Sequence, residues 1–455
     1  MKSIAAIFKN KEVLNRIVFT IVILLVFRIG AAVTVPGVTA GKGLQDALSG
    51  NSALSMLNLL GGGGLQNFSI FALGVSPYIT SQIIVQLLSM DVLPALSELR
   101  KQGEAGRKKS EMATRYLTLM LGAIQAYGII KMFQAQPDSV TLADDSFWGI
   151  AYIVLVMVAG SMLCMWLGDQ ITKKGIGNGI SMIIFAGIVS GLPNQIIGAF
   201  NTWVTTSQGK PVTSGDGMIA GVFKFVLYII CFVLIIAFVA YMEMAKRKIP
   251  VQSAGRSGGN NPKMAKASFL PIKLNSAGVI PVIFASSIMM TPTIIASFVS
   301  EDAASASWLG IFDSATLYQM PGPNGSTWGM PWGLIIYIVL IILFSFFYSQ
   351  MQINPSQLAE NFQKNGSYIP GVRPGTETER YIKKVVNRVT FVGSLSLAFI
   401  AALPVVLTMT VFQANSSLAF GGTGLIIAVG CATELKSQVS GLIAGKAYDS
   451  DLEGR

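Results

Sequence analysis

Few residues of this sequence could do bond-making chemistry, and their spacing argues against it. Gly168-Asp169, in WLGDQ, sets an aspartate behind a glycine at the end of an apolar run. An intramembrane aspartyl protease uses that pairing. Its motif also needs a glycine two residues earlier, where Trp166 stands, and a second aspartate within the membrane, which no apolar run supplies. Histidine is absent, which removes the commonest general base and metal ligand and leaves no serine–histidine pair. Cys164, Cys231 and Cys431 lie in apolar runs; odd in number, they read as neither a disulfide framework nor a zinc site. Four consecutive glycines, Gly61–Gly64, lack the Lys-Ser/Thr of a phosphate loop. These residue types give no catalytic group, no metal site and no cofactor, and the chain reads as a non-enzyme.

The composition explains where these residues must sit. The chain has 455 residues, 52% of them hydrophobic and 12% charged, with a mean hydropathy of +0.59. A soluble domain carries about 25% charged residues, so this is an all-α polytopic membrane protein. The first apolar run has no small-residue cleavage site after it, so no removable signal peptide is expected. Ten spans follow from runs of predominantly apolar residues, at roughly 17–36, 69–90, 113–133, 147–168, 178–200, 218–242, 275–298, 332–353, 389–411 and 421–443.

Loop charge orients them. With the N-terminus inside, twenty-eight of the thirty-three Lys and Arg fall on inner segments or inner span ends. Lys42, Lys131, Lys210 and Lys224 fall on the outer side, and Arg28 lies within the first span. The positive-inside rule then places both termini in the cytoplasm. Five spans precede residues 207–216 and five follow. The second set of five starts on the other side of the membrane, so the halves, 1–206 and 217–455, are inverted, and such halves place a pathway at their interface.

The stretch at 69–90, SIFALGVSPYITSQIIVQLLSM, is twenty-two residues without a charge. Polar Ser76, Thr80, Ser81, Gln82 and Gln86 and the internal Pro77 set it apart from a plain lipid-facing helix. The segment before it, 52–68, is apolar, too short to span and interrupted by Gly61–Gly64. It reads either as a re-entrant piece covered by protein or water, or as an outer loop ahead of an ordinary span. Two inner loops, 243–273 and 354–388, are long, basic and punctuated by Gly and Pro. Either they dock something large or anionic, or they signal topology and attract anionic lipid.

Charges near the bilayer midplane, which an inverted-repeat secondary transporter of a small solute would use, reduce to Arg28. That transporter is the alternative reading. The spans offer aliphatic pairs instead. Val75 and Ile79 are four apart, as are Ile180 and Ile184, each pair on one helix face and each compatible with plain core packing.

Five stretches carry a wider likeness: FALGVSPYIT (71–80), GIGNGISMIIFAGIVSGLP (175–193), LPIKLNSAGVIPVIFASSI (270–288), IPGVRPGTETERYI (369–382) and GGTGLII (421–427). In these, and in order along essentially the whole chain, the sequence resembles the SecY/Sec61-alpha family of protein-translocase channel subunits. The resemblance implies a clamshell of two five-helix halves around an hourglass pore in the bacterial cytoplasmic membrane, opening across it and laterally into lipid. It implies a pore ring at Val75, Ile79, Ile180, Ile184, Ile283 and Ile427, and a plug at about 52–68 hinged on Gly61, Gly62, Gly63 and Gly64. It implies a lateral gate between the second and seventh spans with polar Gln86 and Asn275, and partner docking at Arg373. The partners implied are the SecE and SecG subunits, the SecA motor ATPase, the ribosome, precursors bearing signal sequences, and membrane lipid. Within 243–273 the stretch QSAGRSGGNNPKMAKASF departs from the family in being glycine-rich and less basic.

Overall fold

The computed structural model describes residues 11–41, 43, 44, 48, 54, 57, 58, 61–89, 104–134, 139–207, 210, 211, 215–253, 268–299, 307–312, 318–321, 327–407 and 416–453. Among them the first half of the chain gives α1 (Lys11–Ala32), β1 (Val38–Ala40), α2 (Ser76–Leu88), α3 (Glu104–Gln134), β2 (Val140–Leu142), α4 (Phe147–Lys174) and α5 (Gly179–Phe200). A π-helical turn, Asn201–Thr205, and a two-strand ribbon, β3 (Thr206–Ser207) and β4 (Lys210–Pro211), lead out of it. The second half gives α6 (Gly215–Met244), β5 (Lys246–Ser253), β6 (Ser268–Lys273), α7 (Ile280–Val299), β7 (Tyr318–Pro321), β8 (Thr327–Met330) and α8 (Trp332–Gln352). It continues with α9 (Pro355–Lys364), β9 (Ser367–Tyr368), α10 (Thr376–Leu407) and α11 (Ser416–Glu453).

Each of the ten expected spans contains one of these helices, α9 being extra. Eight described helices are long and apolar enough to cross a membrane; α2 and α7 complete the ten. Helix ends follow local chemistry. Ser146 caps α4 by accepting from Gly149 N at 3.2 Å, and Lys173 and Lys174 fall in its last turn, where the helix dipole favours cations. Asp144 accepts from Ser146 N and Oγ at 3.0 and 2.8 Å, which holds its carboxyl below the usual range. Asn178 caps α5 through Ile180 N at 3.1 Å.

The second span is shorter than the sequence indicates. Residues 69–75 are a chain of turns, and α2 starts only at Ser76, leaving 13 residues. At 1.5 Å per residue that is about 20 Å, less than a bilayer core. Gly74 has φ 54, closed to most side chains, and Pro77 favours the start of a helix rather than its interior. The seventh span behaves likewise. Residues 275–279 form a turn through Gly278 at φ 64, and α7 opens at Ile280-Pro281.

Helices pack within each half as α2 on α3, α3 on α4, α4 on α5, and as α7 on α8, α8 on α10, α6 and α10 on α11. Across the halves α5 packs on α11, α3 on α7 and α2 on α7.

The two long inner loops form one unit. β5 and β6 pair antiparallel from Lys246↔Lys273 to Val251↔Ser268, and β9 adds to the far end of β5 through Gln252↔Tyr368 and Ser253↔Ser367. Ile249, Ile272 and Ile369 from this sheet are buried against Ile382, Val385, Val386 and Val389 of α10. Leu358 and Phe362 of α9 close the cluster. α10 therefore begins at Thr376, about four turns before its apolar span, and carries this unit on its charged first turns.

Ile382 is fully buried at the centre of this unit. Ile382→Ala should remove about 2–5 kcal/mol of local stability. Amide exchange is expected to lose protection in β5 and β9 while α4 and α5 keep theirs. Equal loss in all of them, or none, would refute a separately cooperative unit.

Candidate functional site

Helices of both halves contribute the aliphatic positions. Val75 lies at the N-cap of α2 and Ile79 on its first turn; Ile184 is on α5, Ile283 on α7 and Ile427 on α11. All five are buried in one apolar cluster, and Ile180, partly exposed, packs against it. Branched aliphatic side chains carry no donor or acceptor, so this junction holds by area and packing alone.

Most of the named side-chain bonds around it run inside one half or the other, and one crosses between them: the Cys431 thiol of α11 donates to Ser181 O of α5 at 3.6 Å. In the first half Thr20 Oγ1 accepts from Ile176 N at 3.1 Å, and Ser161 Oγ donates to Gly74 O at 2.9 Å. Arg115 Nη2 lies 2.6 Å from Asp169 Oδ2. The aspartate that opened the question of proteolysis is thus the partner of a surface arginine. In the second half Ser349 and Thr390 hydroxyls bond at 2.6 Å. Three free cysteines remain, and no cluster of three metal-ligating side chains exists among the described residues.

Beside the junction sits the glycine turn. Gly62 and Gly63 have φ of 72° and 79°, and a Cβ on Gly62 would lie 2.8 Å from Phe27 Cζ and 3.3 Å from Gly187 Cα. Glycine is required there for both conformation and space. Arg28 Nη1 donates to Gly62 O at 2.5 Å. Arg28 is four residues from the end of α1, about 6 Å along its axis, and so lies nearer the span's end than the midpoint the sequence indicates. A central arginine costs roughly 2.5–3.5 kcal/mol on insertion scales; this one meets a carbonyl and lies within snorkelling reach of the boundary. Of the expected plug, residues 54, 57, 58 and 61–68 are described, and the remainder lies outside the described residues.

At the expected gate α2 packs on α7. Buried hydroxyls of these two helices turn back onto their own backbones. Ser81 donates to Pro77 O, Ser286 to Val282 O and Ser287 to Ile283 O, at 2.8, 2.7 and 2.9 Å. Gln86 is half-buried with no partner for Oε1. Asn275 is engaged elsewhere: its Nδ2 donates to Glu243 Oε1 at 2.7 Å and to Gly278 O at 2.9 Å, clamping the turn before α7 to the end of α6. The sequence gives no sign of Glu243 as its partner, because the two are thirty-two residues apart and β5 and β6 bring them together. These residues, with Lys246, Lys273, Glu434 and Lys436, line a polar cavity of about 360 Å³.

Arg373 stands exposed in the turn between β9 and α10, between Gly371 at φ 82 and Gly375 at φ 103. Its carbonyl accepts from Thr378 Oγ1 at 2.8 Å and so tends the helix start. Its guanidinium has no partner among the described residues.

Known proteins place this geometry. The SecY family model matches residues 69–436. The protein translocase subunit SecY of Streptococcus gordonii is 43% identical over 441 residues, covering 97% of this chain and 96% of the relative. A solved structure concerned with the SecY plug domain, the closed state and the membrane seal superposes with TM-score 0.65 at 17% identity, over 94% of this chain and 92% of that one. Sec61 in the canine ribosome-channel complex superposes with TM-score 0.58 at 17% identity, over the same shares. With a family model spanning most of its length and a relative of this identity end to end, the chain belongs to the SecY family.

Proposed function

We propose that this protein is the channel-forming subunit of a protein translocase in the cytoplasmic membrane. It passes unfolded secretory polypeptides across the bilayer and releases apolar segments sideways into lipid. The observation that carries this reading is the aliphatic junction of Val75, Ile79, Ile180, Ile184, Ile283 and Ile427, supplied by both halves and free of hydrogen bonds. A charged ring would bind some segments and repel others. An aliphatic ring touches any extended chain without selecting it, and when empty it dewets and blocks ions. The halves, 1–206 and 217–455, part across apolar packing and one weak thiol bond, Cys431 Sγ to Ser181 O at 3.6 Å, while the other named polar bonds stay within each half. The contact of α2 with α7 is the lateral gate, and the Ser81, Ser286 and Ser287 hydroxyls, bonded within their own helices, keep those bonds when the helices separate. A segment entering there chooses lipid by its own transfer free energy, about 25 cal/mol per Å² of apolar surface.

The basic unit of β5, β6, β9, α9 and the start of α10 faces the cytoplasm on this reading, with both termini. It is the docking platform for the SecA motor or the ribosome; similarity to a channel studied with the ribosome supports the latter. The SecE and SecG subunits complete the assembly. The transporter alternative finds no support in the site, because Arg28 lies toward the end of its span and binds backbone.

Ile184→Asn and Ile427→Asn should wet the constriction and raise resting ion conductance in planar bilayers roughly tenfold or more. Both should also export precursors with weakened signal sequences. Unchanged conductance in both would remove the ring assignment.

Arg373→Glu should leave thermal stability in detergent within about 0.5 kcal/mol of the parent, as for an exposed substitution. It should also sharply lower SecA ATPase stimulation and precursor translocation in vesicles, because a guanidinium forks onto carboxylate or phosphate and a carboxylate repels both. Normal translocation with the charge reversed would end the docking role.

A further inference from the structure

We propose that Arg28 pins the glycine turn at the base of the plug to the wall of α1, and that breaking this one bond is a condition for the channel to open. The inference rests on the channel reading above and adds a positioning residue to it. Arg28 Nη1 reaches the Gly62 carbonyl at 2.5 Å. Its neighbour Phe27, fully buried, fills the space a Gly62 side chain would occupy and stacks on Phe71 with centroids 5.7 Å apart and planes at 11°. Two adjacent residues of α1 therefore hold Gly62, Arg28 through its carbonyl and Phe27 against its Cα. Gly62 also abuts Gly187, three residues along α5 from Ile184, so the pinned turn lies beside the constriction.

The turn's other bonds are made within 58–69. Gly63 N donates to Asn58 O at 2.7 Å, Ser69 N to Gly64 O at 2.8 Å, and Gln66 N to Asn58 Oδ1 at 3.1 Å. They keep its shape and tie its far end to Ser69, which bridges to Thr34 just past α1, and none of them reaches the α1 helix itself. The guanidinium bond does. A charged donor makes a stronger hydrogen bond to a carbonyl than a neutral one does. The bond is also reversible. Arg28 is exposed on the outer surface of α1, so the freed guanidinium can swing to the nearby boundary without being stranded in the protein.

The test compares Arg28→Ala, Arg28→Gln and Arg28→Lys in the full translocase, with Ile184→Asn and Ile382→Ala in parallel. The readouts are resting conductance in planar bilayers, export of a precursor with a weakened signal sequence, and thermal midpoint in detergent. Arg28→Ala and Arg28→Gln are expected to raise resting leak roughly tenfold, the shift that loss of one charge-assisted bond makes in a closed–open equilibrium. Both should export the weak-signal precursor better, and Arg28→Lys should recover part of the seal. Parent-level leak in Arg28→Gln, while Ile184→Asn leaks, overturns the pin and leaves the channel reading standing. No leak in either overturns both. A leak that only follows thermal destabilisation, matched by Ile382→Ala, places Arg28 in the fold and overturns the pin. If Arg28→Ala fails to accumulate, Arg28→Gln, which loses both charge and reach, decides.

Discussion

Backbone amides and carbonyls at membrane depth must be paired, and one stretch of this chain cannot pair them as a helix does. Residues 61–75 run as consecutive turns through the interior, with Phe68 at φ 46 and four glycines at positive or crowded positions. In hydrocarbon each unpaired group would cost several kcal/mol. The chain meets the demand partly by itself, through Ala72 N to Ser69 O, Gly74 N to Phe71 O and Ser76 N to Leu73 O, at 2.9, 2.9 and 3.2 Å. Its neighbours supply the rest. The strand after α1 contributes Val35 N to Phe68 O and Val33 O to Ile70 N, both at 3.0 Å. α4 contributes the Ser161 hydroxyl, and α1 contributes Arg28. The surrounding helices are arranged as a sleeve for this segment, and the close approach of α4 at Gly160 to the Ile70 carbonyl follows from the same need.

A second constraint follows from what is left over. The stronger polar bonds are spent inside each half and inside the basic unit, and the halves meet through apolar packing at α2, α5, α7 and α11 with one weak bond across it, from the Cys431 thiol to Ser181 O at 3.6 Å. Hydrogen bonds are directional and resist sliding, whereas apolar contact can open and reclose without leaving a buried donor behind. Two rigid bodies joined by such a seam can part where a bonded seam would not. The clamp of Asn275 on Glu243 has the complementary effect, since it fixes the start of α7 to the end of α6 within one half.

Much of this was legible in the chain itself. Apolar runs located all ten spans because length and hydropathy are one-dimensional properties, and lipid imposes them on every span alike. The residue content also showed which chemical groups the chain lacks, histidine among them. The broken character of 52–90 showed in its glycines and in Pro77, whose backbone limits are local. The strands of the basic unit left a fainter mark, a period-two alternation at Ile249 and Val251 and at Leu270 and Ile272, short enough to be masked by the surrounding lysines.

What the sequence determined by itself was therefore the class of protein, the number of spans and the chemical types available to the site. The tertiary structure alone decided the pairings: Arg28 with Gly62, Asn275 with Glu243, Asp169 with Arg115, and β5 with β9. Each joins residues between 34 and more than 100 positions apart, or, for Asn275 and Glu243, 32 apart across a hairpin. Hydropathy and turn propensity are sums over neighbours in sequence, and they carry no term for which distant partner a donor will meet. That choice belongs to the packing of the helices, which sets one carbonyl within reach of one guanidinium.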